Sequence, residues 1–378
     1  MTASAVPGPD DAEVLAETAR VADELLRPRA DRIAHEGVPR SHLDALATAG
    51  ALGLATRAPT LLRRATEIIA AADGATWFVY AQHHQPVRAV AASDNQRLRE
   101  RWLTSLVTGR TLSGHAVSHL ARPGPPAITA TPRAHGGRDG WTLNGRIDWL
   151  TSWGLADVIL IGALTPDDRI LFALLPAEDL NAPQAVHRHS LWSMDATHAV
   201  AIDLQDVPVA ADQVVSMCAP ADWLHTYLHH NANAHPAVFG SLQATTRHLG
   251  QYQAFKISAD NTSLLAGQLR ARAYTLIDER PADEAIDERL ATRAAAVDLA
   301  LRTAAACLAA SGARSMTAHT TAARLMAEAS FHLVHGQTPQ AKDAYANLTN
   351  AHTARLLTGP ARQRPNPPRM TGPDPTAG

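Results

Sequence analysis

The stretch Asp139-Gly-Trp-Thr-Leu-Asn-Gly-Arg-Ile-Asp-Trp-Leu-Thr-Ser-Trp-Gly-Leu-Ala-Asp157 decides the fold. Residues typical of extended structure flank its Asn144-Gly145 pair, and Asn-Gly is typical of a two-residue hairpin because a type I′ turn needs φ > 0 at both central positions. The sequence therefore predicts a strand, a tight turn at Asn144-Gly145, and a second strand that ends at Ser152. The indole of Trp149 and the hydroxyls of Thr151 and Ser152 would offer a flat face with short hydrogen-bonding groups, which suits a flat heteroaromatic ligand.

The overall composition is that of an ordinary globular protein. Hydrophobic residues make up 46% and charged residues 19% of the 378 residues, and the formal net charge is −2. This balance gives no electrostatic reason to expect nucleic acid or an anionic membrane as a partner. The two cysteines are too few for a disulfide framework or a multi-thiolate metal site. No signal-peptide pattern and no apolar run of about 18 residues is evident, so we expect a cytoplasmic protein without a membrane partner.

The hydrophobic period changes twice along the chain. It is helical up to about residue 107, short and extended from Ser113 to about Val215, and helical again after Pro220. The pattern predicts an α+β protein with an N-terminal helical domain, a middle antiparallel β domain and a C-terminal helical bundle. The expected bounds are a disordered N-terminus at 1–10, the helical domain at 11–110, the β domain at 111–217, the bundle at 218–357 and a disordered Pro-rich tail at 358–378.

The C-terminal bundle has the clearest helical stripe. Apolar residues three or four apart run from Ile286 to Leu308, and a last helix is predicted through Leu325, Ala329 and Leu333 up to Gly336. Alanine-rich faces in this region permit close contact between helices.

The opening stretch resembles a conserved run of the acyl-CoA dehydrogenase superfamily, G-x-x-x-N-G-x-K-x-W-I-T-N-x-x-x-A-D. The matching positions are Gly140, Asn144, Gly145, Trp149, Thr151, Ala156 and Asp157. The chain departs from the run at Ile147 and at Ser152, where the family has Lys or another polar residue and Asn. The order of helical, β and helical regions is also that of the family, and the resemblance covers nearly the whole chain up to the tail.

The resemblance implies a flavin, FAD or alternatively FMN, against Trp149 and Thr151, with Ser152 beside them. A family L-T-E-P stretch that supplies donors to the flavin corresponds to residues 116–119, where only the hydroxyl of Ser118 survives and glutamate is replaced by His119. The segment 114–124 looks more like the flavin-dependent monooxygenase branch of the superfamily.

A basic residue of the family that meets the flavin phosphates corresponds to Lys256. Lysine keeps the charge but lacks the bidentate fork of arginine. Lys256 is equally well interpreted as a solvated helix residue.

The two positions at which the family carries its catalytic glutamate are occupied here by histidines. His335 stands in the stretch that resembles Y-E-G-T, and His230 stands ahead of Gly240 at the alternative position. An imidazole with an ordinary pKa of about 6.5 can act as a base near neutral pH, so His335 is the candidate base. Alternatively, His335 only ends a helix before Gly336. The missing glutamate argues against ordinary desaturation of an acyl thioester, whereas a monooxygenase needs no such base.

The remaining histidines suggest further contacts. The resemblance implies that His83 and His84 line the substrate side of the flavin, together with His230. His225 and His229 lie four residues apart and could share a metal on one helix face, but no glutamate lies between them, so a structural role is favoured and no metal is predicted.

The sequence as a whole predicts a flavin-dependent oxidoreductase of acyl-CoA dehydrogenase type that acts on an acyl thioester or a related small molecule. Two alternatives stay open: a reduced-flavin-dependent monooxygenase of the same fold, served by a flavin reductase, and a non-catalytic relative that has lost the glutamate. The resemblance also implies a homodimer or homotetramer.

Overall fold

The protein is represented by a computed structural model, in which residues 10–135, 138–180, 186–317 and 320–358 are described. The end segments that we expected to be disordered lie almost entirely outside these residues.

Helices make up both ends of the chain. The N-terminal part contains α1 (Asp11–Val21), α2 (Ala30–Glu36), α3 (Arg40–Thr48), α4 (Pro59–Ala70), α5 (Gly74–Ala91) and α6 (Gln96–Val107). The C-terminal part contains α7 (Pro220–Ala232), α8 (Pro236–Leu249), α9 (Lys256–Glu279), α10 (Ile286–Ser311), α11 (Thr321–Phe331) and α12 (Pro339–Thr358).

A mixed eight-stranded sheet lies between the two helical parts. Its strands are β1 (Ser113–Ala116), β2 (Ile128–His135), β3 (Arg138–Leu150), β4 (Val158–Leu164), β5 (Ile170–Pro176), β6 (Val186–Arg188), β7 (Val200–Ala210) and β8 (Val214–Cys218). The spatial order is β6-β7-β3-β2-β4-β5-β8, and β1 pairs in parallel with β4. The predicted α+β class and its order of helical, β and helical parts are confirmed. The sheet is mixed and not purely antiparallel as predicted, because β4 pairs in parallel with β1 and with β2.

The predicted hairpin turn at Asn144-Gly145 is wrong. β3 runs through both residues as one strand, and its hairpin with β2 closes where His135 pairs with Arg138. Opposite Asn144-Gly145 the register of β7 slips by one residue, which is a β-bulge. The Asn-Gly pair suits the bulge for the same reason that it suits a turn: both need a residue that tolerates positive φ, and Gly145 has φ 134°.

The alternation of side chains along β4 places them in two separate hydrophobic cores. Alternate residues of β4 enter two different cores: Ile159 and Ile161 pack inside the β domain, whereas Val158 and Leu160 pack against α5 and α6. Because β4 is buried on both faces, it holds the β domain firmly against the N-terminal helices.

The C-terminal stripe forms α10 as predicted, and the helix predicted through Leu325 and Ala329 forms as α11, but it ends before Leu333 and Gly336. α11 ends at Phe331, a turn follows through Gly336, and α12 adds a helix that the sequence pattern did not reveal. The segment Ile286–Met316, which contains α10, is long and apolar enough to cross a membrane by length and composition alone, but core helices of other proteins meet the same criterion.

Candidate flavin and substrate site

The end of β3 forms a corner that places three predicted ligand residues together. Trp149 is 48% exposed, and one face of its indole stacks on His189 with ring centroids 4.1 Å apart. Thr151 is buried next in the chain, and Ser152 is buried with a left-handed backbone at φ 70°. The Ser152 amide donates to the Thr197 carbonyl at 2.9 Å, which ties this conformation to the segment before β7.

Ser152 has a buried hydroxyl without a partner among the described residues. A buried polar atom that makes no hydrogen bond costs about 1 to 3 kcal/mol, so its position is explained best by a ligand or a water that satisfies it. Together with the half-exposed indole of Trp149, this hydroxyl fits the edge and face of a flat heteroaromatic ring.

The residues that follow the corner hold it in place. The Asp157 carboxylate accepts from the Leu112 amide at 2.7 Å and from Arg40 of α3 at 3.3 Å. Arg40 also donates to the Leu155 carbonyl at 3.1 Å. Gly114 of β1 lies so close to the corner that an added Cβ would be 3.3 Å from the Thr151 carbonyl oxygen. Asp157 is therefore a positioning group for the corner.

Ser118 and His119 follow β1 in a 3-10 turn. Ser118 is exposed, so its hydroxyl is accessible. His119 is buried and its Nε2 donates to the Gly162 carbonyl of β4 at 2.9 Å. Burial lowers its pKa. His119 therefore ties the turn to the sheet through the ring nitrogen that carries its proton.

His83 and His84 lie in the middle of α5 but differ in their bonding. His83 accepts from the Ser113 amide at 3.1 Å through Nδ1 and donates to the Leu106 carbonyl at 3.0 Å through Nε2, so both of its nitrogens are used. A substrate contact from His83 finds no support in this geometry. His84 is buried against Tyr80, and neither of its nitrogens has a partner among the described residues.

A cluster of histidines and aromatic rings, here called the histidine cluster, lies where α5, the start of α8 and the end of α11 meet. Its members are Trp77, Phe78, His235, Phe331, His332 and His335. The His335 ring lies 5.5 Å from Trp77, 4.9 Å from His235 and, stacked, 5.3 Å from Phe331. Three segments distant in sequence thus build one apolar wall that carries imidazoles.

The histidines of this wall are neutral at physiological pH. Burial lowers the pKa of His335 to about 3 and of His332 to about 4, and neighbouring positive charge from Arg293 acts in the same direction. Burial also places the pKa of His235 well below its usual value. Desolvation by neighbouring residues, with the positive charges of Arg88 and Arg293, lowers the pKa of His230, although His230 itself is exposed at the surface. None of the causes of these four shifts is a carboxylate, so nothing nearby stabilises a protonated imidazole.

Arg293 of α10 fixes the loop that carries His335. Its guanidinium donates to the His335 carbonyl at 2.7 Å and to the Asn231 carbonyl. Gly336 has φ 55°, and a Cβ there would overlap the amide of Asn231. His230 lies at the same end of α7 and influences the pKa of His335, so the two predicted base positions are brought into one region.

Lys256 lies apart from these residues. It is exposed at the first position of α9, beside a small core around Leu249 and Cys307. Tyr252 precedes this helix, and its hydroxyl bonds that of Ser311 at 2.9 Å. His225 and His229 pack edge to face at 4.0 Å, and no group of three or more potential metal ligands occurs in the described part of the chain.

Sequence reasoning missed Trp77, His235 and His332. Each reads as an ordinary helix residue, because their proximity arises only from the packing of α5 on α8 and α11. The nearest signal was the number of histidines, 19 in the chain.

Solved structures of known proteins share this fold. No protein-family model and no curated protein sequence matches this chain. Among solved structures, butyryl-CoA dehydrogenase from Megasphaera elsdenii is similar with a TM-score of 0.71 at 15% identity, over 92% of this chain and 100% of that one. Glutaryl-CoA dehydrogenase from Mycobacterium smegmatis has a TM-score of 0.72 at 17% identity, over 95% and 97%. Dibenzothiophene monooxygenase from Paenibacillus sp. A11-2 has a TM-score of 0.67 at 17% identity, over 90% and 97%.

The chain therefore has the fold of the acyl-CoA dehydrogenase superfamily, as its β-domain motif predicted. At this level of identity the likeness concerns the fold, and both dehydrogenases and a monooxygenase are among the similar structures.

Proposed function

We propose that the protein is a flavin-dependent oxidoreductase whose isoalloxazine ring binds at the corner of Trp149, Thr151 and Ser152. The unpartnered buried hydroxyl of Ser152 beside a half-exposed indole carries this proposal. Ser118 is an accessible donor on the neighbouring turn. A bound flavin, FAD or alternatively FMN, would supply the hydride or electron transfer of the reaction.

The residues at the corner would bind and orient the ring. Trp149 would lie against the flavin, and its position is supported from behind by the stacked ring of His189. Thr151 and Ser152 would place hydroxyls at the polar edge. Lys256 is proposed to meet the phosphates, either in the same chain or in a second copy of a homodimer or homotetramer.

The low pKa of His335 limits its ability to act as the base in the proposed reaction. A dehydrogenase acting on an acyl thioester must remove an α proton, and a base whose pKa is about 3 takes up that proton poorly at neutral pH. His335 is therefore a weak candidate base, and His230, whose pKa is also lowered, does not replace it.

The neutral histidine cluster favours a second candidate within the same class, a reduced-flavin-dependent monooxygenase. That reaction requires no α-proton base, and neutral imidazoles can donate and accept hydrogen bonds to an uncharged substrate. His84, with two unpartnered nitrogens, and His230 would take part in such contacts. In this case a cytoplasmic flavin reductase would supply the reduced cofactor.

Flavin binding by variants tests the site. Trp149→Ala removes the stacking face and should weaken binding of FAD or reduced FMN roughly 2- to 10-fold, since an aromatic pair contributes about 0.5 to 1.5 kcal/mol. Trp192→Ala is the matched control, because Trp192 is 78% exposed and lies outside the corner. Equal binding by both variants, measured by fluorescence quenching, would remove the corner as the ring site.

Two turnover assays separate the candidate reactions. Oxygen consumption that depends on reduced flavin would favour the monooxygenase, whereas bleaching of bound FAD by an acyl-CoA would favour the dehydrogenase. Absence of any flavin binding would instead favour a non-catalytic relative.

A further inference from the structure

A small cavity lies between α10, the turn that follows α11, and α12. Its volume is about 20 Å³, which is room for one occupant of the size of a water molecule and too little for a sulfate, a phosphate or an organic ligand. Its polar lining consists of Arg293, His332, Gln337 and Tyr345, and its other walls are apolar side chains. Gln337 is the exposed member of the polar lining, so the cavity reaches solvent there.

Arg293 is a buried cation without a counter-ion. It is 9% exposed, and its guanidinium donates to the backbone carbonyls of His335, at 2.7 Å, and of Asn231. Among the described residues no carboxylate pairs with it, and burial lowers its pKa because the charged form has lost water. A buried charge is unfavourable unless an opposite charge or further hydrogen bonds compensate it. The two carbonyls leave other N–H groups of the guanidinium unused.

The other polar groups of the lining can also donate hydrogen bonds. The Tyr345 hydroxyl makes no hydrogen bond within the described part of the chain. The neutral imidazole of His332, whose pKa burial lowers to about 4, carries one N–H group and likewise has no partner in these residues. The Gln337 amide donates one proton to the Leu333 carbonyl at 2.9 Å and keeps the other. The cavity is thus lined by donors beside a positive charge.

No acidic side chain is part of the described lining. The carboxylate that influences Tyr345 is Asp298, and it is engaged with Arg302 at 2.8 Å. Asp298 is not among the groups that influence the pKa of Arg293. The charge of Arg293 is therefore left for an anion to neutralise.

We propose that this cavity binds a halide ion, which is chloride under physiological conditions. A halide is a single atom of about the size of a water molecule, and it accepts hydrogen bonds from several donors at once. A water molecule fits the same volume but leaves the charge of Arg293 uncompensated. The guanidinium that meets the ion also holds the His335 carbonyl, so a bound halide stabilises the loop that carries His335. No residue of the flavin corner takes part, so this site does not depend on the proposed function.

Chloride NMR on the unaltered protein, at constant ionic strength, tests the site. Exchange of chloride with the cavity should broaden the chloride resonance. Bromide should reverse the broadening at millimolar concentration, whereas sulfate, which is too large for the cavity, should not. Reversal by sulfate as effective as that by bromide would assign the broadening to exposed positive charge and overturn the proposal. Broadening no greater than that of the unfolded chain would leave water as the occupant and overturn it as well.

Tyr345→Phe removes one donor and keeps the shape of the side chain. It should weaken chloride binding roughly tenfold, since hydrogen bonds to charged groups are the strong ones. Tyr252→Phe is the matched control and should leave binding unchanged, because the Tyr252 hydroxyl bonds Ser311 outside the cavity. Circular dichroism checks that both variants fold. Equal binding by the two variants would contradict a site beside Tyr345.

Arg293→Met removes the charge and should abolish the broadening. Because this change also releases the His335 loop, hydrogen exchange on the unaltered protein measures the effect of the ion separately. Amides near His335 should exchange more slowly in chloride than in gluconate, which does not fit the cavity. Equal exchange in the two salts would contradict the link between the ion and the loop.

Discussion

Gly145 and Asn144 act at the bulge as a pair with different tasks. Gly145 supplies the positive φ and the space for the Ala127 carbonyl, which accepts from the Arg146 amide at 2.9 Å. Asn144 bonds across the bulge to Asp206, accepting from its amide at 2.9 Å and donating to its carboxylate at 3.2 Å. Asp206 itself has φ 50°. The bulge is therefore held from both strands.

Gly145→Ala should destabilise the protein by more than about 2 kcal/mol for two reasons. The added methyl group clashes with the Ala127 carbonyl, and alanine is strained at this positive φ. Gly124→Ala is the control. Gly124 also has positive φ, 111°, but nothing lies within 4 Å of an added Cβ, so the change should cost about 1 kcal/mol. Urea unfolding of both variants measures the difference, and equal losses would show that the contact with Ala127 contributes nothing.

The same residue pair shows what the sequence could and could not predict locally. Asn-Gly predicts a position of positive φ, and Gly145 has one, but the pair alone does not distinguish a turn from a strand opposite a bulge. That distinction depends on Asp206, more than 60 residues away. The Trp149–Ser152 corner was predictable because its residues are consecutive.

At the scale of elements, an ion network centred on the buried Arg324 joins α2 to α11. Arg324 donates to Asp31 at 2.7 Å and to Glu328 at 2.8 Å, and it is only 9% exposed. Glu328 also accepts from the Gly74 amide at the start of α5, at 3.2 Å. Burial raises the pKa of Glu328, and Arg324 opposes that effect. The network thus fixes α11 relative to α5, and with it one wall of the histidine cluster.

Arg324→Met should destabilise the protein by about 3 kcal/mol or more, because it leaves a buried carboxylate without its counter-ion. Arg20→Met is the matched control. Arg20 also pairs with two carboxylates, but all three side chains are largely exposed and screened by water, so the loss should be much smaller than that of Arg324→Met. Chemical unfolding at neutral pH measures both, and a loss of similar size in the two variants would contradict a structural role for the buried network.

At the scale of the whole molecule, the two helical parts meet in the histidine cluster. Trp77 comes from the N-terminal helices, while His235, His332 and His335 come from the C-terminal bundle. Periodicity predicted the two helical parts and the β domain between them. It could not predict the cluster, since the contacts join positions more than 150 residues apart that carry no common motif.

The cluster makes stability depend on pH. His332 is buried with a pKa of about 4, below the ordinary value of 6.5, so the unfolded chain takes up this proton first as the pH falls. The contribution of the neutral His332 imidazole to the free energy of unfolding is fully present above pH 6.5. It is lost as the pH falls towards 4, by up to about 1.4 kcal/mol per pH unit. His332→Gln should reduce that slope, whereas His225→Gln at an exposed position should not. Unfolding curves across this pH range measure the slopes, and an unchanged slope in His332→Gln would contradict a buried neutral imidazole.

The most direct measurement is a flavin titration of the intact protein, with FAD and with reduced FMN in parallel. If the corner at Trp149, Thr151 and Ser152 is a flavin site, one of the two cofactors will bind saturably, its fluorescence or absorbance will change, and Trp149→Ala will weaken that binding while Trp192→Ala will not. A protein that binds neither cofactor would contradict the account, because the fold would then be present without the chemistry proposed for it.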